Sequence, residues 1–455
     1  MLRVLSIAGA LLLSAASPLA AQLSLADALR TAESSAYANR IATAEASAQA
    51  AGLAAYRGIL PTLRVEAGYL ATNDPINAFG TTLRQRAITP ADFDPARLNY
   101  PDAARAKMAG LVLEQPLLNA DAWTGRRAAG AAANASEAMA AWTRTATSTD
   151  VIRAYYGATL AAERRATLAA ALRAADAHVA RAQALADTGM VTRADALLAR
   201  VRAGEVRSQL LEAENDAAMA TRGLATLLGA DALAAPLPDA LPASAAILAQ
   251  AAADSAANAG AAIRADVTAA TAAATATSAD AWRARSLYLP RLNGFARYDW
   301  NDADAWFANQ RAWTVGVMAT WTPFAGASEI SEVRSTNARA DAATARREAA
   351  VANAALELER SHGRLQVAIA RLGIAEDAVA QSAEAHRIVA RKYDGGLATI
   401  SELLEAAATE TQSRLMLTMA RYQLIDATAQ RRVALGTDPR TLVALDAAPT
   451  TDSNR

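Results

Sequence analysis

The chain has 455 residues, with 45 Lys plus Arg balanced by 45 Asp plus Glu, 53% hydrophobic residues and no cysteine. Zero formal net charge leaves no basic footprint for a nucleic-acid partner, and the missing thiols exclude disulfide staples and an acylated N-terminal Cys. A chain of this length would ordinarily be two or more compact domains; the order of its segments predicts instead one elongated body made of two similar halves.

Residues 1–21 carry the zones of a secretory signal: Arg3, the apolar run Val4 to Leu13, then small residues, with cleavage expected after Ala21. The apolar run is too short for a comfortable membrane span, and no later stretch approaches twenty uninterrupted apolar residues, so the mature chain is expected to have no transmembrane helix. Export without disulfides or lipid fits a bacterial envelope protein.

The first repeat covers residues 22–233. A helix is predicted over 23–58, opened by Ser24 and closed near Gly58 and Pro61. In the following Thr62 to Ala71, Leu63, Val65, Ala67 and Tyr69 alternate with Arg64, Glu66 and Gly68, a strand with one apolar side. From Asn73 to Lys107, Pro75, Pro90, Pro95 and Pro101 predict a long exposed loop without lasting helix or ladder. Alternation resumes at Met108 and ends at Gln115, completing a β-hairpin within 62–116. A long helical hairpin over 120–229 follows, since no proline occurs between Pro116 and Pro236 and the residues are good helix formers. Its first arm would extend about 100 Å at ~1.5 Å per residue.

After a linker at 234–242, the order recurs over 243–438: a helix from Ser244 to Leu287, a β-hairpin at 291–323, and a helical hairpin at 325–436. In the strands, Leu292, Gly294, Ala296, Tyr298 and Trp300 alternate with polar residues, as do Trp313, Val315, Val317, Ala319 and Trp321; Phe295 and Met318 are exceptions on the polar side. The tail 439–455 is expected to be mobile. Gly189 and Gly396, Thr192 and Thr399, and Asp195 and Glu402 each stand 207 residues apart, which marks a duplication. Each glycine suits the left-handed position past a helix end, and each Thr with an acid three residues on makes a capping box.

Aromatics gathered on dyad strands fit the girdle of a membrane β-barrel, with Tyr69, Tyr298, Trp300, Trp313 and Trp321 as candidates. Four strands cannot close a barrel, and an open sheet edge cannot sit in lipid. Several copies of the chain must therefore share one barrel, of eight, twelve or sixteen strands for two, three or four protomers. An enzyme is not expected. His178, His362 and His386 are scattered along helices without an H-E-x-x-H pair, and the sequence has neither a G-x-x-x-x-G-K phosphate loop nor a G-x-S-x-G elbow. No cofactor and no metal site are expected. The rival reading from another class is a structural envelope stalk or adhesin, a trimeric coiled coil on a small barrel anchor; it calls for long heptads that the helices lack.

Taken in order, Leu60-Pro61 with its strand, Gln115-Pro116-Leu117-Leu118, Gly189 with its capped return helix and Leu227-Leu228-Gly229 have echoes at Leu289-Pro290, Thr322-Pro323-Phe324, Tyr393 with Gly396, and Leu435-Gly436. This duplicated order resembles the TolC family of outer-membrane efflux proteins over essentially the whole mature chain. The resemblance implies a mainly α fold with a β-barrel part. Duplicated helical hairpins would form a trimeric α-barrel across the periplasm, and four strands per protomer would contribute to a shared 12-stranded outer-membrane barrel. It implies an exit duct for an efflux or type I secretion system, working with a periplasmic adaptor and an inner-membrane pump of the RND or ABC class.

By the same resemblance, Glu402 and Glu405 form acidic rings at the periplasmic gate, and Tyr393 with Asp195 supplies an aperture lock. Ala398 stands where the family has an Arg, so a weaker or rebuilt lock is expected, with Arg193 nearby. Gly189, Met190, Val191, Gly396 and Leu397 resemble the adaptor-contact turns. Six carboxylates around one constriction should raise some of their pKa values and favour cations.

Overall fold

The structure is a computed structural model of the chain, and it describes residues 22–55, 60–257, 264–307, 310–324 and 326–445. The signal-peptide reading of 1–21 and the tail beyond 445 lie outside the described residues. In chain order the elements are α1 (Leu25–Ser35), α2 (Tyr37–Ala55), β1 (Thr62–Thr72), α3 (Pro75–Arg84), α4 (Pro95–Asn99), β2 (Ala104–Leu118), α5 (Ala120–Asp187), α6 (Arg193–Leu227), α7 (Ser244–Ala256), α8 (Ala265–Ser286), β3 (Arg291–Asp302), β4 (Arg311–Thr320), α9 (Ser328–Asp394) and α10 (Ile400–Leu435). Two compact units are built from them, one from residues 1–41, 142–264 and 353–455, the other from 42–141 and 265–352. Each unit draws on both repeats, so the duplication in sequence is not a division into two globules.

The first unit holds the main apolar core. Val151, Ile152, Tyr155 and Tyr156 of α5, Leu224 of α6, Leu365 and Leu372 of α9, and Leu424 and Ile425 of α10 are buried together with Leu25 and Leu29 of α1. Ser24 caps α1 by accepting from the Asp27 amide at 3.1 Å. The predicted helix over 23–58 is interrupted at Ala36, which leaves helical geometry at ψ 129°; the Ala32 carbonyl accepts both the Ala36 amide at 3.1 Å and the Asn39 side-chain amide at 2.9 Å. The second-half helix predicted from Ser244 to Leu287 is likewise two helices, α7 and α8. The linker is packed into this unit: the Leu23 amide donates to the Pro236 carbonyl at 2.8 Å, and the Leu241 amide to the Glu163 carboxylate at 3.0 Å.

The start of the tail is not mobile, contrary to the expectation from sequence. Pro439–Leu445 forms a 3-10 helix that buries Leu442 and Leu445 in the core. Arg432, only 7% exposed at its side chain, binds Asp254 at 2.6 Å, Gln250 at 2.6 Å and Thr441 at 2.7 Å, joining α10 to α7 and to this last turn. The helix-breaking Asp438-Pro439 ends the periodic pattern, but two leucines suffice to dock the 3-10 turn beyond it, each worth about 1.5–3 kcal/mol when buried.

The second unit carries one antiparallel sheet in the order β1-β2-β3-β4. Its register places Val65, Leu111, Tyr298 and Trp313 in one transverse row and Leu63, Leu113, Ala296 and Val315 in the next. One face is therefore apolar, and Leu63, Val65, Tyr69, Trp313, Val315 and Val317 on it are each about 60% exposed or more. The other face is polar: Arg297 lies 3.5 Å from Glu66 and 2.8 Å from Asp299, and Asn293 donates to Glu114 at 2.9 Å. Phe295 fits on this polar face because Gly316 opposite it lacks a Cβ, which would come within 2.8 Å of the ring. Asn119 ties the sheet to the start of α5, accepting from the Leu292 amide at 3.1 Å and donating to Asn293 at 2.9 Å.

The loop predicted over 73–107 is structured. Helix α3, a 3-10 turn at Pro90–Phe93 and α4 occupy it, and β2 begins at Ala104. Three of the four prolines counted against helix, Pro75, Pro90 and Pro95, stand at the first turn of each, where no amide donor is needed, behind the caps Asp74, Thr89 and Asp94; Pro101 lies in the irregular stretch before β2. Strand β2 also runs past Gln115 to Leu118, with a register shift between Pro116 and Leu118 that accommodates the missing proline donor.

Candidate functional site

Two turns of the same design end the long helices of the first unit. At the end of α9, the Gly396 amide donates to the Tyr393 carbonyl at 3.0 Å and the Leu397 amide to the Lys392 carbonyl at 2.8 Å, with Gly396 at φ 71°. This is the paired closure that favours glycine in the left-handed position. Gly189, at φ 76°, does the same for α5. Thr399 then opens α10: its amide donates to the Glu402 carboxylate at 2.7 Å while the Glu402 amide donates to the Thr399 hydroxyl at 3.2 Å. Thr192 and Asp195 repeat the exchange at 2.9 and 3.2 Å.

These bonds set the electrostatics of a single protomer. The Thr399 amide and hydroxyl hold the Glu402 carboxyl below its usual range, opposite to the rise expected for a crowded ring. Glu402 and Glu405 are both exposed, on the far side of α10 from the buried Leu403 and Leu404. Those leucines, with Ile400, Tyr393, Ala182, Ala196 and Ala199, form a small core that packs the two turns together, and Ala398 packs partly buried against it. An alanine at 398 thus contributes apolar surface where the resemblance would place a guanidinium.

Tyr393 is 5% exposed, and its hydroxyl is buried without a hydrogen-bond partner. Burial first, and then the Asp195 carboxylate charge, push its pKa up. The structure therefore brings Tyr393 into the field of Asp195 but does not bond them within one chain, because Asp195 is engaged by Thr192. Among the described residues Arg193 makes no ion pair; α5 and α9 are instead joined by Arg181 and Asp394 at 2.9 Å. The sequence reading missed this pair. Its only signal was the neighbourhood of Tyr393, and partners more than two hundred positions apart carry no local pattern. Met190 and Leu397 stand out from the turns at 73% and 81% exposure, with Val191 half-buried between.

In the second unit, Tyr298 and Trp313 are cross-strand partners, Trp300 stacks edge-on to Tyr298 at 4.7 Å, and Tyr69 stands two rows further along. Trp321, whose indole donates to the Tyr288 carbonyl at 3.0 Å, marks the other end. Trp300 pairs with Arg311, and the ten residues from there to Trp321 span about 34 Å at ~3.4 Å each. With strands tilted by ~40° that is roughly 26 Å of height, which matches the ~25 Å apolar band of outer-membrane barrels. No helix among the described residues is long and apolar enough to cross a membrane.

An apolar-faced sheet too small to close, carried on duplicated helical hairpins, defines a subunit of an outer-membrane channel. A sequence profile described as outer membrane efflux protein matches residues 38–230 and 261–437, and the chain belongs to that family. It is a transport duct and not an enzyme. By sequence alone no individual characterised protein matches at a significant level. Among solved structures, the chain is similar to the Campylobacter jejuni CmeC outer membrane channel at 17% identity and TM-score 0.75, covering 90% of this chain and 85% of that one. The Vibrio cholerae outer membrane protein VceC gives 19% identity and TM-score 0.74, over 91% and 96%. The open state of the Neisseria gonorrhoeae MtrE outer membrane channel gives 17% and 0.69, over 91% and 89%.

Proposed function

We propose that three copies of this chain assemble into one conduit, the exit duct through which an adaptor and an inner-membrane pump of the RND or ABC class discharge substrates across the outer membrane. The observation that carries this reading is the four-stranded sheet. Its apolar face is exposed, its other face is polar, and among the described residues β1 and β4 each pair on one side only. Backbone groups on such edges have no partner in hydrocarbon, so β4 of one copy must find β1 of the next until the ring closes. Three copies give twelve strands.

The turns at 186–199 and 393–405 then gather around the duct. Glu402 and Glu405 project exposed carboxylates there and act as a cation-favouring ring, while Tyr393 and the Asp195 in whose field it lies serve as the aperture lock with Arg193 nearby. Met190, Val191 and Leu397, held out by Gly189 and Gly396, are the surface for the adaptor. Oligomer mass by native mass spectrometry and conductance in planar bilayers test the proposal together. A trimer forming cation-selective pores, with selectivity reduced in Glu402→Gln/Glu405→Gln, supports it; a monomer without conductance refutes it.

A further inference from the structure

Two of the three histidines meet where the first helical hairpin touches the second. His178 of α5 and His386 of α9 contact edge to face, with ring centroids 5.9 Å apart and planes at 73°. Both Nε2 atoms are shielded from solvent and lack a hydrogen-bond partner. On the other side of its ring, His386 Nδ1 lies 2.7 Å from the Glu410 carboxylate of α10, which Arg414 also binds at 2.7 Å. Toward the helix ends stand Arg181 and Asp394. Away from them, a cavity of about 1010 Å³ brings Arg202 and Glu205 of α6, Asp239 of the linker, Glu163 of α5 and Glu405 of α10 to the same wall. The charges that act on the rings are those of Glu410, Arg414, Arg181 and Asp394, while the others share the cavity further along the helices.

The environment treats the two imidazoles differently. His386 has a carboxylate at hydrogen-bond distance. Glu410 stays ionised through the imidazole range: burial would raise its pKa, but the bonds from His386 and Arg414 outweigh it and the net shift is downward. His178 has no acid bonded to it. Burial, then the charge of His386 and of Arg181, push its pKa below the usual 6.5, with only Asp394 opposing. A buried nitrogen left without a partner in both rings calls for an explanation. A metal is a poor one, because Glu410 lies on the far side of the His386 ring and two nitrogens alone underligate a divalent cation.

We propose that the His178–His386 contact is a proton-operated catch: neutral, it holds the two helical hairpins together, and doubly protonated, it drives them apart. The sign comes from the depressed value of His178. The contact contributes fully above the usual imidazole value of 6.5 and is lost as pH falls through the lower value of the folded chain. The rings lie nine residues before the end of α5 and eight before the end of α9, about 12–14 Å at ~1.5 Å per residue. Separation there loosens the two glycine turns. Resting on the proposed duct function, this makes mild acidity outside the cytoplasm a signal that favours opening of the aperture.

With three histidines in the chain, selective ring labelling gives a readable NMR titration of the full-length protein in detergent, with a free imidazole compound in the same sample as reference. His178 is expected to titrate below the usual imidazole value of 6.5 and to move back toward it in His386→Gln; a His178 that titrates with the free imidazole in both proteins overturns the proposal. Because the chain has no native cysteine, spin labels on Ala180→Cys and Ala385→Cys, neither of them fully buried, report the helix spacing cleanly. The spacing should lengthen between pH ~8 and ~5.5, either side of the imidazole range, and stay constant when His178→Gln is added. Lengthening that survives His178→Gln, or no lengthening, overturns it. In bilayers the same acidification should raise conductance several-fold in the natural chain and not in His178→Gln. Should no pore conduct at any pH, the duct reading fails while the label distances still decide the catch.

Discussion

Val315→Arg distinguishes a lipid-facing sheet from one that faces water. Val315 is 68% exposed in the isolated chain and lies in the transverse row of Leu63, Leu113 and Ala296, midway between the Trp300 and Trp321 ends of the apolar face. In a membrane barrel, an arginine at that depth costs about 2–4 kcal/mol per protomer. That is roughly a 30- to 700-fold loss in the folding constant, at about 1.4 kcal/mol per tenfold. Three copies in one ring multiply the cost to about 6–12 kcal/mol per assembly. The neighbouring Thr314→Glu provides the control. Thr314 pairs with Arg297 on the polar face, so a carboxylate there meets water and the Arg297 cluster rather than lipid and should stay within about 0.5 kcal/mol of the natural chain. Denaturant titration of folding into lipid vesicles, alongside the yield of assembled protein in outer-membrane fractions, measures both. If Val315→Arg folds and assembles as well as Thr314→Glu, the apolar face does not meet lipid and the shared barrel is wrong.

Three other perturbations act on particular contacts. Leu442→Ala should destabilise the first unit by about 2–5 kcal/mol, since Leu442 is fully buried, and a lowered denaturation midpoint by circular dichroism checks it. Gly316→Ala forces a Cβ to within 2.8 Å of the Phe295 ring and should cost about 1–3 kcal/mol; Phe295→Leu in the same chain should recover most of it, and a cycle showing strict additivity refutes the clash. Glu402 has a depressed pKa, so its capping contribution is present above the usual 4.5 and is lost as pH falls through the folded value. Glu402→Gln should abolish that acid-dependent fraying at the start of α10, as read by amide hydrogen exchange.

Features set by near neighbours were legible in the chain. A glycine, a threonine and an acid at fixed spacing specify a turn and a cap through bonds spanning three to five residues, and the 207-residue echo doubled the signal. Alternation along Thr62 to Thr72 and Arg311 to Thr320 likewise divided the residues between two faces, because the pleat has a period of two. Reading prolines as breakers failed over 73–107, since Pro75 and Pro95 open helices when an Asp precedes them. The single helix drawn through Ala36 failed because composition does not show where one residue turns to extended geometry and a side chain, here Asn39, bonds back across the break.

What the amino-acid order determined by itself was the duplicated plan, the capped turns and the two-faced strands, whose turns and alternation rest on interactions close in sequence; the class of channel came from the family that this order resembles. Only the tertiary structure decided that Arg181 meets Asp394, that His178 meets His386, that the segment after Asp438 is held by Arg432, and that Ala398 packs against a small core. Those contacts join residues brought together by helix packing, where the register of one long helix against another is set by many small side chains at once and no local spacing records it.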